Sequence, residues 1–362
     1  MSVHGSWRRA AIAATALVLA SAGLTVAVRA FLRNPEPRTL PTTEPTDVRG
    51  RVSAEIDAGR FPQEIAFGHG AVWVTVNDPE APEAWYVARI DPTTDVITDE
   101  IAVFEAGDIA VGPHAVWVTG RDRELGPAVF RIDPEHPGVE ATVPLGCGRC
   151  YADQIAASVD ALWLTVSTNY PEHGEIVRID AATNAISGRV TVPGDPRDLT
   201  IGDQAVWVYA LTHFDKHGVS GGSLYQIDPS DLRVAATLLA GDIPPVSGIS
   251  TPPVLAATDG VVWTSRMRGE ALEILRIDEA TGRVTSVADA PSGFSGSLAA
   301  TAEDVWVRTG GRFLRRVDAD TMEVVEDLQA PEVSGGYVLV AYDSVWATAY
   351  DDAVLYRVAP TP

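Results

Sequence analysis

The sequence predicts an all-β fold, a seven-bladed β-propeller of four-stranded antiparallel blades, and three observations predict it. A tryptophan-centred cassette recurs seven times, its spacing is that of a propeller blade, and its apolar residues alternate with period two. In the first copy Ile65-Ala66 leads to Ala71-Val72-Trp73-Val74-Thr75 and closes on Arg89-Ile90-Asp91. Ile109-Ala110, Ala115-Val116-Trp117-Val118-Thr119 and Arg131-Ile132-Asp133 repeat the order, and five further copies centre on Trp163, Trp207, Trp263, Trp306 and Trp346. Successive tryptophans lie 44, 46, 44, 56, 43 and 40 residues apart, the period of four short strands with their turns. Val72 and Val74 share one face and Trp73 with Thr75 the other, as a strand packed on both sides requires.

Each unit then divides into four strands. Strand a is the Ile65-type segment, b the tryptophan cassette, c the segment ending in Arg-Ile-Asp, and d the stretch after it. Gly68-His69-Gly70 and Asp91-Pro92-Thr93-Thr94 read as the intervening turns. The last copy ends at Tyr356-Arg357-Val358-Ala359 and lacks a strand d. Arg51 to Ile56 precedes the first copy and alternates Val52, Ala54, Ile56, so it is expected to pair with the strand containing Tyr356 and close the ring, removing both edges. The tryptophans are expected to pack between blades. The recurring Asp at 91, 133, 180, 228, 278 and 318, several followed by Thr three residues on, is expected to tie the c-to-d turn through its side chain.

Hydrophobic residues at 46% with 21% charged fit a folded globule and exclude disorder for most of the chain. The formal charge is −22; residues 1–33 contain Arg8, Arg9, Arg29 and Arg33 with no acid, and Lys216 is the only lysine. Such a field repels nucleic acid and anionic lipid, so neither is an expected partner of the main domain. Ala10 to Val28 is free of charge and follows Arg8 and Arg9, long enough to cross the hydrocarbon of a bilayer as a helix. Residues 1–33 are read as a signal anchor, with cleavage at Ala20-Ser21-Ala22 and secretion as the alternative. Residues 34–50, rich in proline and threonine, form a linker, and 51–362 the propeller. The expected location is the cell membrane, with the propeller outside the cytoplasm and monomeric.

The cassette Gly-x-x-Ala-Val-Trp-Val-Thr followed by Arg-Ile-Asp-Pro-x-Thr resembles the seven-bladed propellers of the YVTN and streptogramin lyase (virginiamycin B lyase) type, over residues 51–360. The lyase resemblance implies elimination chemistry with a magnesium ion, on histidine and glutamate side chains of inner strands beside Trp-Phe-Thr-Glu cassettes. Here Trp73 is followed by Val74-Thr75-Val76 and Trp306 by Val307-Arg308-Thr309, and no histidine falls on an inner strand, so those residues do not carry over.

Candidate site residues come from where the copies differ. Those just before each strand a are Glu64, Asp108, Gln154, Asp198, Val254, Ser297 and Tyr337, one per blade at one mouth of the channel. Glu64, Asp108 and Asp198 could hold Ca²⁺ or Mg²⁺, hard cations that take oxygen ligands, or could simply line a hydrated channel. Long connections over the same mouth contain Tyr170 and His173 (Ser167 to Glu175), His213, Asp215 and His217 (Leu211 to Ser223), and a proline-rich insertion (Gly241 to Pro253). Gly218, Gly221 and Gly222 argue that the 211–223 stretch is a loop. Cys147 and Cys150, the only cysteines, are read as a local disulfide of an exported protein, with a redox dithiol as the sharper alternative. No serine, histidine and acid share a spacing that identifies a nucleophile. The expectation is a non-catalytic binding or scaffold module whose ligand, a protein, peptide, glycan or small molecule, sits at the acidic mouth. The alternative is a cation-dependent lyase or lactonase.

Overall fold

The computed structural model describes residues 46–47, 50–78, 80–81, 84–168, 173–215, 218–243, 255–268, 271–289, 294–309, 313–330 and 334–359. The expected membrane segment, Tyr170, His217 and Val254 lie outside the described residues, and of His213 only the backbone is described.

Seven sheets form a ring. The first blade is Pro62–Gly68, Ala71–Val76, Tyr86–Asp91 and Val96–Ala102, hydrogen-bonded in that order as strands a to d. Five blades repeat it, with their a strands at Ile109–Val111, Cys150–Ala157, Asp195–Ile201, Ala256–Thr258 and Phe294–Ala300. The seventh is Val338–Ala341, Ser344–Ala349 and Val354–Val358, completed by Val52–Asp57 as its strand d. Val52 pairs with Val358, Glu55 with Tyr356 and Ile56 with Leu355, the predicted closure. Successive a strands pack on one another and line the channel. Thr46–Asp47, within the segment read as linker, adds a short parallel strand to Val324–Gln329 of blade 6.

The core is seven apolar layers, one per blade interface. Trp73 packs with Ile109, Val116 and Val118 of blade 2, while Val72 and Val74, on the opposite face of the same strand, pack with Trp346 of blade 7. Period-two alternation therefore feeds two interfaces from one strand, each indole burying roughly 150–250 Å². The arginine of Arg-Ile-Asp belongs to this layer. It lies directly across the b–c ladder from the tryptophan, its guanidinium 5.6 Å from the indole at Arg89 and Trp73 and 5.1 Å at Arg357 and Trp346. Blade 4 departs from the pattern, with Gln226 opposite Trp207.

The c-to-d turns behave as expected. Asp180 Oδ1 accepts from the backbone N–H and the hydroxyl of Thr183 at 2.8 and 2.7 Å, and Asp318 does the same with Thr321. Hydrogen bonds from Thr183 hold the Asp180 carboxyl below the usual range.

One expectation is overturned. Leu211 to Ser223 is not a loop: strand b of blade 4 runs through Val206–Asp215 and strand c begins at Gly218, with Phe214 opposite Val219. Gly222 serves close packing instead. A β-carbon on Gly222 would stand 2.4 Å from the Tyr209 ring. Gly241 to Ile243, read as the start of an insertion, likewise continue strand d of that blade. Cys147 and Cys150 form the expected disulfide in the link from blade 2 to blade 3, with Cys150 buried against Val143 and Leu145.

Candidate binding site at the channel mouth

A bulge near the start of strand a, seen as register shifts at Pro62/Ile65, Ala152/Ile155 and Pro196/Asp198, frees one residue of the strand from the ladder. Its N–H needs another acceptor, and the threonine two residues after the tryptophan supplies it. Thr75 Oγ1 accepts from Glu64 N at 3.2 Å, Thr119 from Asp108 at 2.9 Å, Thr165 from Gln154 at 3.0 Å and Thr348 from Tyr337 at 2.8 Å. The threonine of Trp-x-Thr is thus buried because it anchors these residues, and they are held at fixed orientation.

Their side chains do two different things. In blades 2, 4 and 6 they turn sideways and bind the next blade. Asp108 Oδ2 accepts from Ile155 N at 2.6 Å while Oδ1 accepts from Ile109 N at 2.7 Å; Asp198 Oδ2 accepts from Leu255 N at 2.7 Å, and Ser297 Oγ from Val338 N at 3.0 Å. In blades 1, 3 and 7 they meet across the channel. Gln154 Nε2 donates to Glu64 Oε1 at 3.3 Å, and the Tyr337 hydroxyl donates to the same carboxyl. Glu64, Asp108, Gln154, Asp198, Ser297 and Tyr337 are all buried, so this layer closes the channel beneath its mouth.

Burying acids together is costly, and the electrostatics record it. Loss of solvent and then the Asp108 charge push the Glu64 carboxyl well above the usual range, against the hydrogen bonds from Tyr337 and Gln154. Burial lifts Asp108 to about 7 despite its two backbone donors. Both carboxyls are therefore held above the range of an exposed acid, and Asp108 titrates near neutrality. Among the described residues no group of three or more His, Cys, Asp or Glu side chains is arranged to hold a metal ion.

Above this layer the rim is charged. Arg197 bridges Asp195 at 2.6 Å and Asp153 at 3.2 Å, the latter also accepting from Ser167 Oγ. His173 opens strand c of blade 3 and is exposed. In blade 6 Arg308 stands where blades 1, 2, 3 and 7 have threonine, buried, donating to the carbonyls of Phe313 and Ser334 and drawn down to about 10 by burial.

Sequence reasoning missed a cleft of ≈ 410 Å³ over blades 1 and 2, lined by Phe104, Arg121, Arg123, Leu125 and Phe130. Arg123 lies 4.9 Å over the Phe104 ring, which stacks on Trp85 at 6.3 Å. The signal was present: Trp85 is the one tryptophan of the propeller that stands outside the cassette.

This geometry defines the class of protein, a seven-bladed β-propeller. Solved structures bear out the fold. Kuenenia stuttgartiensis hydrazine synthase aligns with a TM-score of 0.64 at 14% identity, over 88% of this chain and 98% of that one. The WD40 β-propeller domain of Doa1 aligns at 0.59 and 9% identity, over 86% and 97%. The computationally designed Ika8 protein aligns at 0.56 and 12%, over 86% and 100%. At these identities the likeness concerns the fold alone. No protein-family model and no curated protein matches the sequence.

Proposed function

We propose that this chain is a membrane-tethered, extracytoplasmic propeller that acts as a non-catalytic binding or scaffold module, its ligand resting on the acidic mouth. The observation that carries this reading is the closed layer of Glu64, Gln154 and Tyr337, with Asp108 and Asp198 spent on backbone N–H groups of neighbouring blades. These polar side chains hold the ring together, which leaves recognition to the rim: Arg197 with its acids, His173, and the Trp85, Phe104 and Arg123 stack. The tether rests on the apolar run from Ala10 to Val28, and the cassette's likeness to YVTN and streptogramin lyase propellers fits an exported domain. The ligand is a protein, peptide, glycan or small molecule, and the propeller works as a monomer.

A second reading, a lyase or lactonase using Ca²⁺ or Mg²⁺ on Glu64, Asp108 and Asp198, is favoured by one observation: the charges of Asp108 and Asp198 both reach Glu64. Calorimetric titration of the full chain with each cation separates the two. Absence of binding heat supports the module. Saturable binding, with a turnover that Asp108→Ala abolishes, overturns it in favour of the enzyme.

A further inference from the structure

On the opposite face of the ring, where the a-to-b and c-to-d turns lie, blades 4 and 5 contain an internal ligand. Glu279, in the c-to-d turn of blade 5, is 1% exposed and places its carboxylate in the a-to-b turn of blade 4. Oε2 accepts from Asp203 N at 2.8 Å; Oε1 accepts from Gln204 N at 2.9 Å, Ala205 N at 3.1 Å and the indole Nε1 of Trp207 at 3.3 Å. Gly202 is required for the fit, since a β-carbon there would stand 2.2 Å from Glu279 Oε1. A two-residue turn, a preceding glycine and the cassette tryptophan together make a carboxylate socket.

A socket of the same build, with three of the four donors, recurs between blades 2 and 3 without its occupant; Pro113 stands where Asp203 donates and has no N–H. Gly112-Pro113-His114-Ala115 aligns with Gly202-Asp203-Gln204-Ala205, and both turns close through the same bond, Gly112 N to Ala115 O and Gly202 N to Ala205 O, each at 2.9 Å. Trp117 stands two residues on, as Trp207 does, but the place of Glu279 is taken by Ala181. Other turns serve their own donors. Ser158 Oγ accepts from Ala161 N at 3.2 Å, and Thr301 Oγ1 from Asp304 N at 3.0 Å, whereas Gly112 has no side chain to offer. Among the described residues nothing accepts from the N–H of His114, the N–H of Ala115 or the Trp117 indole. These groups line a cleft of ≈ 380 Å³ with Arg131 and Ala182. The two acids at its edge are already engaged, Asp160 by Arg178 and Asp180 by Thr183.

We propose that this cleft binds the carboxylate of a glutamate-bearing peptide turn, held by His114 N, Ala115 N and the Trp117 indole as Glu279 is held by its counterparts. The ligand class follows from the occupant the ring supplies itself, a glutamate side chain raised on the tight turn of residues 278–282. The proposal is independent of the mouth on the other face. The probe is the acetylated, amidated pentapeptide Asp-Glu-Ala-Thr-Gly that copies this turn, titrated into the ¹⁵N-labelled full chain while the indole and amide signals are followed. Expected are saturable shifts of the Trp117 indole and the His114 amide, with affinity at least roughly tenfold weaker for the Gln version of the peptide and for Ala181→Glu, which fills the socket from within. No shift at Trp117, or equal affinity for the Glu and Gln peptides, overturns the proposal. Should Ala181→Glu not fold, the peptide pair alone decides.

Discussion

Raising the pH should destabilise this propeller through two carboxyls at its axis, and Glu64→Gln should reduce the effect by removing one of them. Glu64 and Asp108 are buried, and both hold protons more tightly than they do in the unfolded chain. Between the unfolded and folded values the native state binds more protons, so stability is fully present below pH 3.8 and is lost as pH rises through about 7. A displacement of about three units at Asp108 corresponds to roughly 4 kcal/mol. Over roughly 310 residues that is about 6 °C in Tm. Net charge also grows more negative over this range and contributes self-repulsion. The comparison with Glu64→Gln removes that background, because the variant differs by a single charge while the amide still accepts from Gln154 and Tyr337. Urea unfolding at pH 5 and pH 8, followed by tryptophan fluorescence, measures both proteins and samples about two of these units, roughly 3 kcal/mol from Asp108. A wild-type chain no less stable at pH 8, or a Glu64→Gln chain with the same pH slope, would refute the reasoning.

Other expectations are more local. Glu279→Gln keeps an oxygen for Gln204, Ala205 and Trp207 but turns its amide N–H₂ toward the Asp203 N–H and removes the charge, which should cost about 1–3 kcal/mol in urea unfolding, and Gly202→Ala should cost a similar amount without adding to it in the double variant. Glu273→Ala strands Arg266, whose guanidinium it meets at 2.7 Å in a nearly dry hairpin, and should lower stability by about 3–5 kcal/mol. Ile56→Ala weakens the closing strand by about 2–5 kcal/mol, read as a lower urea midpoint. Reduction of Cys147–Cys150 releases a very short loop and should cost roughly 2 kcal/mol, a calorimetric Tm lower by about 3 °C.

The blades were legible because their determinants are local and repeated. Trp73, Val72 and Val74 announce the two-sided strand, and the missing strand d at the C-terminus announces its supplier at Val52. The site was half legible. The positions before strand a were identifiable, but whether a side chain there spans the channel, as Glu64 does, or turns to the next blade, as Asp108 does, depends on a bulge and on the neighbour's backbone. Neither leaves a mark in sequence. Thr75 was read only as sharing a face with Trp73, and its role as acceptor appears once the bulge frees the Glu64 N–H. Gly222 misled for a related reason: a glycine chosen to admit the Tyr209 ring looks the same in sequence as one chosen for a turn.

The closing strand sets the order in which the molecule can be finished. Val52–Asp57 is among the first parts of the propeller made, and its partner Val354–Val358 is the last. At about 5–20 residues per second the first strand waits roughly 15–60 s for its partner. Through that interval the nascent arc has two open ends, so the protein depends most on protection from aggregation in the moments before its final strand emerges.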